Sequence, residues 1–184
     1  MTTNSAPAKI HVCSLALIQE VVAQQKPSHV VSLLGPGTQF PVVDHITPVR
    51  HHKVELDDIR QHMDGYVTPG ERHIIDLIDF LKSWDLSKDL AVHCWAGISR
   101  SSATALIAAC IHNPDTQEEV IAKAIADASP TAYPNTLIVE IADKILNRDG
   151  RMHKAAEKIC ADPQRMINIR TIDKAKPFSI GGKF

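Results

Sequence analysis

Leu90-Ala91-Val92-His93-Cys94-Trp95-Ala96-Gly97-Ile98-Ser99-Arg100-Ser101 is the stretch of sequence that decides the fold of this chain. It opens with a short apolar run that follows two charged residues, a pattern typical of a strand covered on both faces. The residues from 101 to 111 are small or apolar and too many for a strand, so they predict a buried helix. The stretch therefore predicts a buried strand, a tight loop and the start of a helix, with Cys94 at the junction.

The predicted junction of strand and helix is suited to bind an anion. The first N–H groups of a helix have no partner within it, and the amides of residues 95–100 can join them in one cradle. Gly97 fits because a loop that turns several amides toward one centre needs backbone angles or a close approach that a Cβ would obstruct. The same field favours the thiolate form of Cys94. Arg100 can bind two oxyanion oxygens through its planar guanidinium, and Ser101 can donate a hydrogen bond to the sulfur.

These residues resemble a known signature. His93-Cys94, followed at fixed spacing by Gly97, Arg100 and Ser101, looks like the phosphate-binding loop of the cysteine-dependent protein tyrosine phosphatases, in the form found in their dual-specificity branch. The resemblance implies a phosphatase that needs no cofactor or metal, because the cradle and the arginine neutralise the phosphate charge. The predicted phosphate-binding residues are Trp95, Ala96, Gly97, Ile98, Ser99 and Arg100. The alternative that requires no function is a small buried cysteine followed by a surface arginine.

A phosphatase of this kind needs an acid that protonates the leaving oxygen. Four aspartates before the signature are candidates: Asp57, Asp58, Asp64 and Asp76. Asp76 lies within a helical pattern that begins at Pro69, where a surface role is expected, whereas the Asp57-Asp58 pair follows a predicted strand. Leu56-Asp57-Asp58-Ile59 resembles the paired aspartates of the phosphatases of regenerating liver and other dual-specificity members, in which the second is the acid. The resemblance therefore favours Asp58, then Asp57 and then Asp64, although the interval to Cys94 is longer here than in those relatives.

Two further positions are predicted to support the loop. Pro134-Asn135 resembles a Pro-Asn pair that precedes the helix behind the signature loop of dual-specificity phosphatases, so Asn135 is expected to support the loop rather than to contact substrate. A proline at a first helical turn explains Pro134 by itself. His93 is expected to order the loop through hydrogen bonds, and a catalytic dyad with the following cysteine is the alternative. His51 and His52 are adjacent on a strand and face opposite ways, which makes them a poor pair of metal ligands.

Composition limits the function classes. The chain has 184 residues and a formal net charge of −1, which gives no global field for nucleic acid or for an anionic membrane. No apolar run approaches the roughly 18 residues of a membrane span. The four cysteines are widely spaced and predict reduced thiols in the cytoplasm. The expected partners are therefore a phosphorylated protein or a small phosphomonoester, with phosphate-like oxyanions bound in the active site.

The rest of the chain predicts an α/β fold. The predicted strands cover residues 9–13, 29–34 and 52–56 besides the strand before Cys94, and the predicted helices cover 14–22, 69–84, 115–128, 134–147 and 151–160. This order indicates a single three-layer phosphatase domain over 1–184, with a central, mostly parallel sheet of four to five strands flanked by helices. Residues 1–8 are expected to be flexible. Residues 162–184, in which basic residues outnumber acidic ones, are expected to form a solvated extension or an arm that embraces a partner subunit.

Three functions fit the signature. The first is an active phosphatase for protein phosphotyrosine, with phosphoserine and phosphothreonine as further substrates. The predicted cradle carries no lysine or second arginine, which disfavours a polyanionic inositol phosphate. The chain also lacks the Trp-Pro-Asp acid loop of receptor-like tyrosine phosphatases, and its proline-punctuated helices resemble those of bacterial members. The other two functions are a phosphate-binding pseudophosphatase and a rhodanese-like sulfurtransferase.

Overall fold

The computed structural model describes residues 7–172 and 174–184, and within them five strands form one sheet. The strands are β1 (Lys9–Ser14), β2 (His29–Leu34), β3 (His51–Glu55), β4 (Leu90–Cys94) and β5 (Phe178–Gly181). Their order across the sheet is β3-β2-β4-β1-β5, and the first four are parallel while β5 runs antiparallel to β1 at one edge. The prediction of a mostly parallel sheet of four to five strands is confirmed.

Helices cover both faces of the sheet. They are α1 (Ile18–Gln25), α2 (Glu71–Ser83), α3 (Arg100–His112), α4 (Glu118–Ala128), α5 (Thr136–Ile145), α6 (Arg151–Cys160) and α7 (Pro163–Thr171). α1 packs on one face of the sheet, and α3 lies at the centre of the other layer, against β1 and β4 and surrounded by α2, α4, α5 and α6. α3 is buried along almost its whole length because small residues let neighbouring helices approach from several sides. The three-layer prediction is thus confirmed.

β4 occupies the position that matters most for a site. All five of its residues are buried, and it lies between β1 and β2. β1 lies on one side of β4 and β2 on the other, so the connection that leads from β1 to β2 crosses the position of β4. In open α/β sheets, ligands bind at the carboxyl ends of the strands at such a switch point. Cys94, the last residue of β4, is placed there.

The C-terminal segment differs from its prediction. Residues 162–184 were expected to be a solvated extension or an arm, but they form α7 and the edge strand β5. Phe178 and Ile180 alternate with Ser179, so that both apolar side chains are buried while β5 pairs with β1. Arg165 of α7 is buried too, because backbone carbonyls satisfy its guanidinium. The expectation of an extension was wrong because two apolar residues suffice for an edge strand when the neighbouring strand is already in place.

Smaller differences occur at the ends of elements. Of residues 1–8, expected to be flexible, 1–6 lie outside the described residues, whereas Ala8 is buried and its carbonyl accepts a hydrogen bond from the Gly182 amide at 2.8 Å. Ser14 ends β1 and makes no capping hydrogen bond, and a short 3₁₀ turn, Leu15–Leu17, separates it from α1. α4 and α5 begin two to three residues later than predicted. None of the helices in the described part of the chain is long and apolar enough to cross a membrane.

Candidate active site

The sulfur of Cys94 lies buried between the end of β4 and the start of α3. Its Sγ accepts a hydrogen bond from the Gly97 backbone N–H at 3.3 Å and lies 3.2 Å from the Ser101 hydroxyl. Ser101 is in the first turn of α3 and is fully buried. The sulfur is therefore in hydrogen-bonding contact with one backbone amide and one hydroxyl. The contact between Cys94 and Ser101 that the resemblance implies is present in the structure.

Gly97 allows the loop to sit on the end of β1. Its φ is +74°, a left-handed conformation that residues with a Cβ adopt at a cost. A Cβ built there would lie 2.6 Å from the Cys13 carbonyl carbon and 2.7 Å from the Ser14 nitrogen, which are backbone atoms of the strand. The Leu15 amide also donates to the Trp95 carbonyl at 3.2 Å. Backbone of the loop and backbone of β1 are therefore in direct contact, and only glycine fits between them.

Several donors in this loop have no acceptor among the residues that the structure describes. The amides of Ala96, Ile98 and Ser99 find none among the residues that the structure describes. Arg100, only 6% exposed, donates from Nη1 to the Leu56 carbonyl at 2.8 Å, while its Nε has no hydrogen-bond partner in that part of the chain. A buried cation with an unsatisfied donor is costly unless a ligand completes it. Together with the free N–H groups that precede α3, it gives the loop the chemistry that an anion-binding site needs.

Among the four candidate acids, Asp58 lies against the loop. Its Oδ1 accepts hydrogen bonds from the Ser99 hydroxyl at 2.7 Å and from the Asn135 side-chain amide at 2.8 Å. Its Oδ2 lies 3.9 Å from Nε of Arg100, and the side chain is 36% exposed. A carboxylate that faces both the guanidinium and solvent is placed to exchange protons with a bound ligand.

The other three aspartates have different contacts. Asp57 closes the following loop, because its carboxylate accepts from the Val67 amide at 2.8 Å while its own amide donates to the Val67 carbonyl. Asp64 is exposed beside His62, and Asp76 pairs with Arg72 one turn earlier on the surface of α2. Of the four aspartates, Asp58 is the one whose hydrogen bonds reach the loop.

Asn135 joins the candidate acid to the loop. Its side-chain amide donates to Asp58 and, at 3.1 Å, to the Ile59 carbonyl, and its Oδ1 caps α5 by accepting from the Ile138 amide. Its backbone amide donates to the Ser99 carbonyl at 3.3 Å. The sequence predicts that Asn135 supports the loop, and the structure adds that it also holds the aspartate.

A buried network of hydrogen-bonded polar side chains, which the sequence did not predict, lies beneath the loop. The Ser32 hydroxyl is 2.5 Å from Nε2 of His93 and 2.7 Å from Nε2 of His51. A hydroxyl carries one proton, so it donates to one ring and accepts from the other. Register places these residues together, because Ser32 of β2 pairs with His93 of β4 and lies two positions beyond Val30, the partner of His51 on β3. This bond orients His93 toward Ser32 and engages its Nε2, while its Nδ1 has no hydrogen-bond partner among the described residues.

Burial favours the neutral form of the two histidines that contact Ser32. It lowers the pKa of His93 to about 4, with the Cys94 backbone opposing the shift and the charges of His51 and Arg100 adding to it. It lowers the pKa of His51 to about 4 as well, with Lys53 and His52 contributing. An unfolded histidine has a pKa near 6.5, so the unfolded chain binds more protons than the folded one between about pH 4 and 6.5. The free energy of unfolding is therefore expected to fall as the pH falls through this window.

We expect His51→Gln to weaken that pH dependence. Gln can donate from Nε2 to Ser32 as the imidazole does, but it takes up no proton on unfolding. The slope of unfolding free energy against pH near pH 5 is expected to decrease by about 1 kcal/mol per pH unit, close to the value for one proton. Urea unfolding at several pH values measures the slope. His62→Gln, at an exposed loop position, is the control, and a slope that His51→Gln leaves unchanged would contradict the expectation.

The remaining cysteines are poor nucleophiles at neutral pH. Burial raises the pKa of Cys13 to about 12, with the nearby Cys94 adding to the effect, and burial raises the pKa of Cys110 to about 12. The pKa of Cys160 is raised as well, mainly by burial.

Across residues 7–172 and 174–184, no three His, Cys, Asp or Glu side chains are grouped as metal ligands. The chemistry of the site is therefore that of a sulfur, a guanidinium, free amides and a carboxylate.

A strand that delivers a cysteine into an anion-binding loop at a helix N-terminus defines the class of fold. Solved structures with this architecture include DUSP15 (TM-score 0.57, 18% identity, 85% of this chain and 94% of that chain). Human DUSP28 is similar too, with a TM-score of 0.57 and 16% identity over 78% of this chain and 96% of that chain. A mouse putative dual specificity phosphatase complexed with zinc tungstate has a TM-score of 0.54 and 14% identity over 86% of this chain and 96% of that chain. No family model and no curated protein matches the sequence. The fold is that of the dual-specificity phosphatases.

Proposed function

We propose that this protein is a phosphatase that hydrolyses phosphomonoesters through a cysteinyl-phosphate intermediate. The observation that carries the proposal is the buried guanidinium of Arg100, whose Nε lacks a hydrogen-bond partner in the described part of the chain, on the same loop as the hydrogen-bonded sulfur of Cys94. A phosphate dianion would satisfy the guanidinium and the free amides together. The structural likeness to dual-specificity phosphatases, one of them bound to tungstate, supports the same reaction.

The first chemical step transfers the phosphoryl group to sulfur. The Cys94 thiolate attacks phosphorus, so that a sulfur–phosphorus bond forms while the bond to the ester oxygen breaks. Arg100 and the loop amides stabilise the charge on the equatorial oxygens. Asp58 gives its proton to the departing oxygen, which leaves as an alcohol or a phenol.

The second step releases phosphate. Asp58, now ionised, takes a proton from water as the water oxygen attacks phosphorus and the sulfur–phosphorus bond breaks. Ser101 donates a hydrogen bond to the departing sulfur, which lies 3.2 Å from its hydroxyl. The thiolate and the protonated Asp58 are thereby restored, and each proton that leaves Asp58 is returned.

The proposed substrate is phosphotyrosine in a protein, with phosphoserine and phosphothreonine as further substrates. The side chains of the loop that reach the surface are Trp95 and Ala96, neither of which is basic, and the half-buried Ile98 is apolar. These side chains suit an aryl or alkyl group better than additional phosphates. A thiolate nucleophile is best kept in a reducing compartment, so we propose a cytoplasmic location. We also propose that the chain is one of the bacterial members of the superfamily.

A substrate panel tests the proposal against its two alternatives. Wild-type protein is expected to hydrolyse a generic aryl phosphate and phosphotyrosyl peptides, with slower release of phosphate from phosphoseryl and phosphothreonyl peptides. Binding of these peptides without turnover would indicate a pseudophosphatase. Turnover of thiosulfate without phosphatase activity would indicate a sulfurtransferase. A labelled phosphate that remains on the acid-quenched protein and maps to Cys94 would identify the intermediate.

We expect Asp58→Asn to lower kcat in proportion to the difficulty of the leaving group. With phenyl phosphate the expected loss is about 10²-fold, the usual contribution of a positioned acid, because phenolate leaves poorly without a proton. With 2,4-dinitrophenyl phosphate, whose leaving oxygen needs little assistance, the expected loss is severalfold. Steady-state kinetics with both esters measures the difference.

Asp57→Asn is the matched control for this change. The Asn oxygen can still accept from the Val67 amide, so the loop should stay closed and both esters should react within about threefold of the wild-type rate. An equal loss with both esters in Asp58→Asn would indicate a binding role for Asp58. A selective loss in Asp57→Asn would exchange the roles of the two aspartates.

A further inference from the structure

A groove of about 420 Å³ adjoins the phosphate-binding loop. Three residues of the loop form one side of it: Trp95, Ala96 and Ile98. The other sides are formed by Leu15, at the start of the connection from β1 to α1, and by Ile169 and Ile172, at the end of α7 and just after it. The remaining lining residues are Ser14, Ala16, Ala175 and Lys174, the one charged residue of the lining. The groove therefore lies between the candidate active site and the C-terminal segment.

The groove is apolar where it meets the loop. Trp95 follows Cys94 directly, yet its large ring is 62% exposed. An exposed indole beside a charged site keeps apolar surface in contact with water, which a ligand can cover. The side chains of Ile98, Ile169 and Ile172 are half-buried and extend this apolar surface.

The far wall is fixed relative to the loop. The buried Arg165 of α7 donates to the carbonyls of Ser129 at 2.7 Å and Ala126 at 2.8 Å. The segment that follows α4 also binds the loop, because the Tyr133 amide donates to the Ile98 carbonyl at 3.1 Å. α7 and the loop are thus anchored to the same segment, which gives the groove a shape that exists before a ligand binds.

We propose that this groove holds the organic part of the phosphoester and makes the enzyme prefer apolar leaving groups larger than one aromatic ring. The inference rests on the proposed function. The amides of Ala96 and Ile98 belong to the loop that is proposed to bind phosphate, and the same two residues line the groove, so the groove adjoins the proposed phosphate site. Ile169 and Ile172 are then specificity-determining residues that the sequence places far from the signature.

The test compares 2-naphthyl phosphate with phenyl phosphate, two esters with similar leaving groups that differ by one ring. Wild-type protein is expected to show a kcat/KM ratio of about ten in favour of the naphthyl ester, as an additional apolar group in a fitting pocket provides. The double variant Ile169→Ser, Ile172→Ser is expected to bring the ratio close to one, while kcat/KM for phenyl phosphate stays within about threefold of wild type. That retained rate also reports a folded enzyme.

Ile167→Ser is the matched control, because Ile167 lies on the same helix, is 53% exposed and does not line the groove. Its ratio is expected to equal that of wild type. A wild-type ratio near one, a double variant that keeps the preference, or an equal change in Ile167→Ser would overturn the inference while leaving the phosphatase activity intact. Hydrolysis of neither ester by wild type would overturn the proposed function, and the inference with it.

Discussion

Cys94→Ser is expected to lower kcat for aryl phosphates by a factor on the order of 10⁴ or more. A hydroxyl replaces the thiolate with little change in volume, but it is not ionised at neutral pH and needs a base to become a nucleophile. His93, the imidazole next to Cys94 in sequence, is a weak base. Nε2 of the neighbouring His93 is engaged by Ser32, and burial lowers the pKa of that imidazole to about 4. Steady-state kinetics with an aryl phosphate measures the loss.

Anion binding separates loss of the nucleophile from loss of the site. The free amides and Arg100 are unchanged in Cys94→Ser, so tungstate is expected to bind it within about tenfold of the wild-type affinity by calorimetry. Cys160→Ser is the matched control, because Cys160 is half-buried on α6 and its thiol donates to the Pro134 carbonyl, as a hydroxyl would. It should keep wild-type activity. Turnover by Cys94→Ser at more than about one hundredth of the wild-type rate would exclude the cysteinyl-phosphate route.

Arg100→Lys is expected to lower kcat/KM by about 10²- to 10³-fold although the charge is retained. In the structure Nη1 donates to the Leu56 carbonyl, while Nε has no hydrogen-bond partner in the part of the chain that is described and lies 3.9 Å from the Asp58 carboxylate. A planar fork can hold both an anchor and a ligand, whereas an ammonium cannot reproduce this geometry. The loss should appear in kcat as well as in KM, because the equatorial oxygens gain charge in the transition state.

Two measurements accompany this variant. Tungstate affinity is expected to fall by at least tenfold, which would show that the guanidinium binds the anion. Arg72→Lys, on the exposed face of α2, should change neither quantity. An Arg100→Lys protein that binds tungstate as wild type does would assign Arg100 a structural role, through its bond to the Leu56 carbonyl.

The sequence predicted those parts of the fold that local chemistry decides. β2 and α6 have the predicted bounds, because Pro27 and Gly35 flank the strand and Gly150 precedes the helix. The strand, loop and helix around Cys94 were predicted for the same reason, since small residues, Gly97 and a buried apolar run act over a few positions. The choice of Asp58 over Asp57 is different. Spacing places both aspartates after a strand, and only the resemblance to related phosphatases distinguished them.

What the sequence could not predict depends on distant contacts. The hydrogen bond from Arg100 to the Leu56 carbonyl involves a backbone atom that any residue would supply. Ser32 is one polar residue within an apolar strand, and nothing nearby in sequence indicates that two histidines from other strands meet it. β5 pairs with β1 across most of the length of the chain, and its four residues carry too little apolar character to predict a strand alone.

The contact of Gly97 with the backbone of β1 limits how the sequence of the loop can diverge. Any substitution there must displace the backbone of the first strand, whereas the Trp95 side chain is 62% exposed and can be replaced without moving that backbone. Descendants of this protein can therefore change the exposed residues at the rim of the site one at a time, while the backbone contact between the loop and β1 stays the same. Selection for a new substrate would act first on the rim, and the glycine would persist through every such transition.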